Sequence, residues 1–308
     1  LDYAIKGVMD KLGPHSRFVP ARNVRRQRSI PQAPEASNGH LGVRIEKKNG
    51  HVVILGTYPG SPAEKAGIMR GDIIMSSDIA DGPPGSRVKL AIRRPCRHGL
   101  MQMTLTRGKV EFPKVVSRLL PHRIGYARIE RFSGNVSGNM ERAVAEFQKS
   151  GPLLGFILDL RDNSGGNLYE TRRLIGAFLN GNRDILVRNE RVVAVSAGKN
   201  LKDILEGAPL AILVNKNTAS AAEAATIVLK EYTRATVFGE RTYGKGTIQR
   251  NHVLSDGSLA FFTIGRYATP RGKEVDEQGV LPHIHVDEYD GKCGDRQLQK
   301  AIKYIKNT

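Results

Sequence analysis

Five consecutive apolar residues, Leu210-Ala211-Ile212-Leu213-Val214, run into the polar stretch Asn217-Thr218-Ala219-Ser220-Ala221-Ala222-Glu223 and then into Ala224-Ala225-Thr226-Ile227-Val228-Leu229. A short unbroken apolar run reads as a fully buried strand, and the run after it reads as a helix. A buried strand feeding directly into a helix is the repeating unit of an α/β domain, and it excludes all-β and all-α architectures for this part of the chain. Ser220 stands at the turn between the two. A hydroxyl placed there can be exposed, and the free N–H groups of the first helical turn point at whatever it attacks.

Ser220 and Glu223 also fit a Ser-x-x-Glu capping box, in which the serine does no more than cap a helix. A second stretch, Tyr243-Gly244-Lys245-Gly246-Thr247-Ile248-Gln249, supplies a candidate base. In a strand-like segment Lys245 and Gln249 share a face. A lysine acts as a base only where burial in an apolar site strips its proton near neutral pH. Lowering its pKa from about 10.4 to about 7.5 takes roughly 4 kcal/mol of differential solvation, so the site must be dry. The flanking glycines let backbone approach closely, and Gln249 can orient the amine without adding a charge.

The strand–helix alternation recurs upstream. Residues 124–129 read as a strand, Met140, Val144 and Phe147 mark a helix beginning near Ser137, and residues 154–160 read as a buried strand. Leu168, Arg172, Leu174 and Phe178 mark the next helix, and between strand and helix lies Arg161-Asp162-Asn163-Ser164-Gly165-Gly166-Asn167. Residues 259–264 read as a further strand, and Leu298, Ile302 and Ile305 as a last amphipathic helix.

These residues carry a family resemblance. Thr218 to Glu223 resembles the nucleophile motif of the carboxyl-terminal processing peptidases, or tail-specific proteases. Phe238-Gly239-Glu240-Arg241-Thr242-Tyr243-Gly244-Lys245-Gly246-Thr247-Ile248-Gln249 resembles their lysine motif. Those proteins are serine endopeptidases with a Ser-Lys dyad supported by a Gln, cutting polypeptides near their C-termini. The resemblance implies an α/β (α+β) core of the tail-specific protease and crotonase-like type. It also implies Ser220 as nucleophile, Lys245 as general base, Gln249 as its positioner, polypeptide substrates and no cofactor. Residues 159–166 resemble the family's Asp-Leu-Arg-x-Asn-Pro-Gly-Gly, with Ser164 where Pro is usual. On that likeness one N–H of the Gly165–Gly166 backbone joins the N–H of Ala221 in an oxyanion hole. Residues 162–166 are also similar to the serine motif of chymotrypsin-like proteases, but those are β-barrels, and the strand-to-helix context disfavours Ser164 as nucleophile. Residues 267–273 and 278–284 resemble the family's closing motifs, with His283 where Asp is usual. His283 and His285 lack a third ligand, so no metal is expected.

From Gly39 the pattern shifts to short strands, with residues 40–45 and 51–55 expected to form a hairpin across Asn49-Gly50. Together with residues 60–68 and 70–74 this run resembles a PDZ domain. Leu41-Gly42-Val43 stands in the place of the carboxylate-binding loop, whose N–H groups would hold a peptide's C-terminus while the peptide adds a strand. Where such a domain has the helix that walls its groove, only fourteen residues separate Asp72 from Arg87, and Asp81-Gly82-Pro83-Pro84-Gly85 will not form one. The expected organisation is an N-terminal helix and basic linker over 1–38, an inserted, shortened PDZ-like domain over 39–110, and a peptidase core over 111–308. Leu1, Ile5, Val8 and Leu12 mark the first helix, and Arg22 to Ser37 reads as a linker.

Charge bears on partners. The net charge of +18 over 308 residues fits a well-solvated surface, or attraction to an anionic membrane or cell-wall surface. Nucleic acid is disfavoured, because Trp is absent, aromatics are scarce and no binding motif occurs. Cys96 and Cys293 lie far apart without metal-ligand spacing, and free thiols are expected. No apolar run reaches membrane-crossing length and no signal peptide is present; without an initial Met the chain reads as a mature or trimmed form. An extracytoplasmic location, periplasmic or secreted, is implied by the resemblance alone, and oligomeric state is left open. Two rivals stand beside the peptidase. One is a non-catalytic peptide-binding adaptor on the same fold. The other is an acyl-CoA enzyme of crotonase type, which needs an acidic catalyst and a nucleotide pocket that the sequence does not offer.

Overall fold

The structure, a computed structural model, describes residues 2–13, 15–28, 38–48, 50–75, 81–188, 192–268, 271–272, 277–288 and 294–308. The chain divides into two compact units. Leu1–Gln32, Ser117–His285 and Ala301–Thr308 form one, and Ala33–Val116 with Val286–Lys300 form the other.

The chain opens with helix α1 (Asp2–Lys11), strand β1 (Arg17–Val19) and helix α2 (Ala21–Arg28). Helix α2 corrects the expected linker. Its Arg and Gln residues are good helix formers, Pro20 O accepts the N–H groups of Asn23 and Val24, and Val24 is buried. With one strongly apolar residue it has no apolar period to reveal it. Residues 29–37 of the expected linker lie outside the described residues.

The β-rich unit contains β2 (Val43–Lys48), β3 (His51–Thr57), the single-turn helix α3 (Pro62–Lys65), β4 (Ile73–Ile74), β5 (Arg87–Arg93) and β6 (Met101–Thr106). The five strands pair antiparallel in that order, leaving β2 at an edge. Lys48 faces His51 across the expected hairpin. Leu41, Ile54, Ile74, Leu90 and Ile92 share the core. Buried Asp72 accepts two hydrogen bonds of 2.8 Å from the Arg94 guanidinium, tying the start of β4 to the end of β5. The described residues between Asp72 and Arg87 hold β4 and turns but no helix, and residues 76–80 lie outside them. Cys96 is disulfide-bonded, which corrects the expected free thiol. Residues 286–300, remote in sequence, belong to the same unit as Cys96; Cys293 itself lies outside the described residues.

The larger unit continues through β7 (Val115–Leu120), β8 (Ile124–Ile129), α4 (Val136–Gln148), β9 (Gly155–Asp159), α5 (Leu168–Ala177), β10 (Gly181–Arg188) and β11 (Val192–Leu201). It ends with β12 (Leu210–Val214), α6 (Ala221–Glu231), β13 (Ala235–Gly239), β14 (Thr247–Val253), β15 (Leu259–Ala268), β16 (Ile284–His285) and α7 (Arg296–Asn307). One sheet has the order β16-β13-β12-β9-β8-β7, and its pairs from β8 to β16 are all parallel. β9 and β12 are buried along their whole length, hence their apolar sequences. Parallel neighbours need crossovers, and α4 and α6 supply them. The carboxyl ends of β9, β12 and β13 therefore lie side by side, and the three loops that leave them are neighbours. A second sheet, β1-β15-β10-β11 with β14 on β15, sets β1 on β15, the strand that also pairs with β14 after Lys245.

Candidate active site

The loop leaving β12 ends in Ser220, the N-cap of α6. The capping reading thus describes its position, but the backbone goes further. Ser220 has φ 56° and ψ −120°, outside the wells open to an L-residue, and such a conformation persists only where surroundings over-determine it. The surroundings are on hand. The buried Glu223 carboxylate accepts the Ser220 N–H at 2.8 Å, the Thr242 hydroxyl at 2.5 Å, and the N–H groups of Gly244 at 2.7 Å and Lys245 at 2.8 Å. One carboxylate thus holds the serine turn and the lysine loop together.

The loop leaving β9 is latched to the serine loop. Asp162 Oδ1 accepts from Asn215 Nδ2 at 2.7 Å and from Asn217 Nδ2 at 3.1 Å, and Ala219 donates its N–H to Asn163 O at 2.9 Å. Beneath lies a buried ion pair. Arg161 donates to Asp159 at 2.9 and 2.6 Å, and the Tyr126 hydroxyl donates to the same carboxylate at 2.8 Å. Gly165 and Gly166 have φ of 98° and 143°. A Cβ on Gly165 would lie 2.7 Å from Ser220 Cβ and 2.9 Å from Ala221 N; one on Gly166 would lie 2.2 Å from Phe132 O. Only glycine fits at either position. The two are not equivalent as donors. Gly165 N–H is committed to Asn163 Oδ1 at 2.8 Å, which removes Gly165 from the candidate oxyanion donors. Gly166 N–H, and Ala221 N–H at the open end of α6, have no acceptor among the described residues.

The lysine arm is built differently. Lys245 precedes β14 and does not lie within it, and the β14–β15 register shifts between Ile248 and Gln249. Simple strand alternation therefore does not explain their meeting, yet Lys245 Nζ donates to Gln249 Oε1 at 3.3 Å. Gln249 Nε2 in turn donates to His15 O, and Thr247 Oγ1 pairs with His15 Nδ1 at 2.9 Å. The amino-terminal segment thus fixes the orientation of Gln249, a role its sequence does not announce. Lys245 is half-buried. Burial lowers its pKa from the ordinary lysine value, and the positive charges of Arg17 and Arg131 push it the same way.

Ser220, Lys245, Gln249, Gly166 and Ser164 line one cleft of about 530 Å³. Among the described residues, no hydrogen bond joins the Ser220 and Lys245 side chains directly. Tyr267 lines the same cleft, and burial pushes its pKa up to about 12 while the nearby Ser220 side chain pulls it back. Tyr267 is 4% exposed and its N–H donates to Gly246 O at 2.7 Å. Sequence reasoning passes over it, because a tyrosine late in a strand carries no spacing signal. Ser164 accepts from Arg131 at 3.3 Å and has no base beside it. His283 Nδ1 accepts the Val237 N–H at 3.1 Å, so that nitrogen serves the backbone. Leu41, Gly42 and Val43 fall in the other compact unit. Leu41 is in its core, Gly42 has φ 73° and backs onto Ser61, and Val43 begins edge strand β2.

Comparison with known proteins defines the class. The family model for "Peptidase family S41" matches residues 123–286. The chain is 38% identical over 284 residues to carboxyl-terminal-processing peptidase 2 of Arabidopsis thaliana, a chloroplastic protein, covering 82% of this chain and 54% of that one. It is 28% identical to the carboxy-terminal processing protease CtpA of Bacillus subtilis, covering 93% and 64%. Among solved structures, the photosystem II D1 C-terminal processing protease superposes with a TM-score of 0.60 at 30% identity, covering 93% of this chain and 81% of that one. An S41 protease of Bacteroides fragilis reaches 0.67 at 20% identity, covering 97% and 87%, a likeness of fold. The chain belongs to peptidase family S41, with the carboxyl-terminal processing peptidases. It spans about half the length of the Arabidopsis relative and about two thirds of the Bacillus one.

Proposed function

We propose that this chain is a serine endopeptidase that cuts polypeptides near their C-termini with Ser220 and Lys245. The observation that carries the reading is the strained Ser220 turn opening into the same cleft as a half-buried lysine of lowered pKa. Neutral Lys245 takes the Ser220 proton as Oγ attacks the scissile carbonyl carbon. The carbonyl oxygen becomes an oxyanion facing the N–H groups of Gly166 and Ala221, each donor worth about 3 kcal/mol in such sites. The tetrahedral adduct collapses, the lysine ammonium protonates the departing amine, and an acyl-enzyme remains. Water, deprotonated by the same amine, releases the acid and regenerates Ser220. Gln249 Oε1 holds one amine proton, which leaves the nitrogen lone pair for the serine.

Edge strand β2, with Leu41 to Val43 at its start, fits strand addition by a peptide. The short interval between Asp72 and Arg87 leaves that groove with one wall, which is why this module is read as shortened. A disulfide at Cys96 fits an oxidising compartment outside the cytoplasm.

A fluorophosphonate probe tests the reading. Labelling should fall on Ser220, and Ser220→Ala should remove both labelling and turnover of an unfolded protein. Lys245→Arg should be equally inactive, because guanidinium does not release its proton. Cleavage by either variant above background would move the nucleophile or base elsewhere, and an unlabelled wild-type protein would favour the adaptor.

A further inference from the structure

We propose that Arg17 and Arg131 make this cleft selective for polypeptides that carry a carboxylate within a few residues of the bond cut. The inference rests on the peptidase reading of the same cleft and adds its substrate class.

The charge balance of the cleft lining is one-sided. Among the described residues, Arg17, Arg131 and Lys245 line it, and no Asp or Glu does. The two arginines come from different elements. Arg17 is the first residue of β1 and lies over the Phe261 ring of β15, 4.4 Å from its centroid. Arg131 follows β8 and touches the glycine loop through Ser164. Both are exposed.

Three arginines of the same unit are used otherwise. Arg161 sits on Asp159, Arg234 on Asp203 at 2.8 Å, and Arg128 on Asp162 at 3.4 Å. Among the described residues, neither Arg17 nor Arg131 has a carboxylate partner. A guanidinium presents paired N–H donors matched to a carboxylate, and stacking on Phe261 fixes the plane of one of them. Two such groups beside a lysine that must stay neutral repel its proton, but a lysine could be neutralised by burial alone. Their openness to the cleft is what a carboxylate would use. An incoming anion would also be drawn toward the cleft by this field.

The carboxylate can be an acidic side chain or the substrate's own C-terminus, and the experiment separates these sources. Cut sites in an unfolded protein are mapped by mass spectrometry, and peptides are built on the best one. The series carries Asp or Asn two residues from the cut, with a free or amidated C-terminus. For wild-type enzyme, kcat/KM should favour a carboxylate in at least one arm by tenfold or more, and the preference should shrink between 50 and 500 mM salt. Arg17→Gln with Arg131→Gln should bring that ratio close to one. Affinity of the Ser220→Ala variant for the same peptides should follow the same order without turnover. A wild-type ratio near one in both arms overturns the proposal, as does a ratio that survives the double substitution. Absence of any cleavage together with absence of fluorophosphonate labelling would sink the peptidase reading itself, a separate result.

Discussion

The serine and lysine halves of the cleft are held with unequal firmness. The serine turn grows from β12, an interior strand of the parallel sheet, and is bound to the glycine loop by Asp162, Asn163, Asn215 and Asn217, of which Asn163 and Asn215 are buried. The lysine precedes β14, which pairs with β15 alone, and its amine rests on one half-buried glutamine. On the proposed mechanism the nucleophile and oxyanion donors are therefore preorganised, the condition under which electrostatic stabilisation is strongest. The base depends on a lighter frame and on the charges around it. Glu223 is where the two halves meet, since its carboxylate serves donors from both.

Breaking that joint should give the largest effect. Glu223→Ala leaves four donors, two of them buried, without an acceptor, and unmet buried groups cost about 1–3 kcal/mol each before relaxation. We expect kcat/KM to fall at least a hundredfold, with a lower unfolding midpoint by denaturant titration. Activity within threefold of wild type would show that the halves are positioned independently.

The pH profile sharpens the contrast at the base. The proposed mechanism needs neutral Lys245, so kcat/KM should climb about tenfold per pH unit and level off below the ordinary lysine pKa. Arg17 of β1 and Arg131 beyond β8 are the cations facing it, and both favour the neutral amine. Screening them with salt, or replacing either with glutamine, should therefore move the limb to higher pH. Tyr267 of β15, protonated up to about pH 12, adds no limb of its own. A limb indifferent to salt and to both substitutions would leave burial as the sole cause.

Tyr267→Phe should give the smallest change. Its hydroxyl lies near a serine whose backbone is already fixed, so kcat should fall about tenfold or less with KM unchanged. The fluorophosphonate labelling rate should fall in parallel. A changed KM with unchanged labelling would assign the hydroxyl to substrate contact.

What could be read in the sequence follows the same division. Residues 210–214 and 155–158 are apolar because they are buried on both faces, and the strand–helix turn at Ser220 follows from the first of them. Lys245 and Gln249 were legible as a pair, though the register shift beside Gln249 means that strand alternation was the wrong reason. Helix α2 and the β10–β11 hairpin escaped notice, the former because Val24 is the one strongly apolar residue in its sequence. The roles of Glu223, His15 and Tyr267, and the commitment of Gly165, are hydrogen-bond facts with no periodicity behind them. The disulfide at Cys96 has no spacing signal, because the return of residues 286–300 to the β-rich unit cannot be read along the chain.

The backbone at Ser220 has an evolutionary consequence. Its φ of 56° with ψ of −120° suits glycine far better than serine, and holding an L-residue there costs on the order of 1–3 kcal/mol. A lineage that kept this scaffold only to hold peptides would feel that cost with nothing in return. Drift at position 220 would then run toward glycine, the residue that relaxes the turn. On the proposed reading, serine at that position supplies the one thing a glycine there would lack, a hydroxyl.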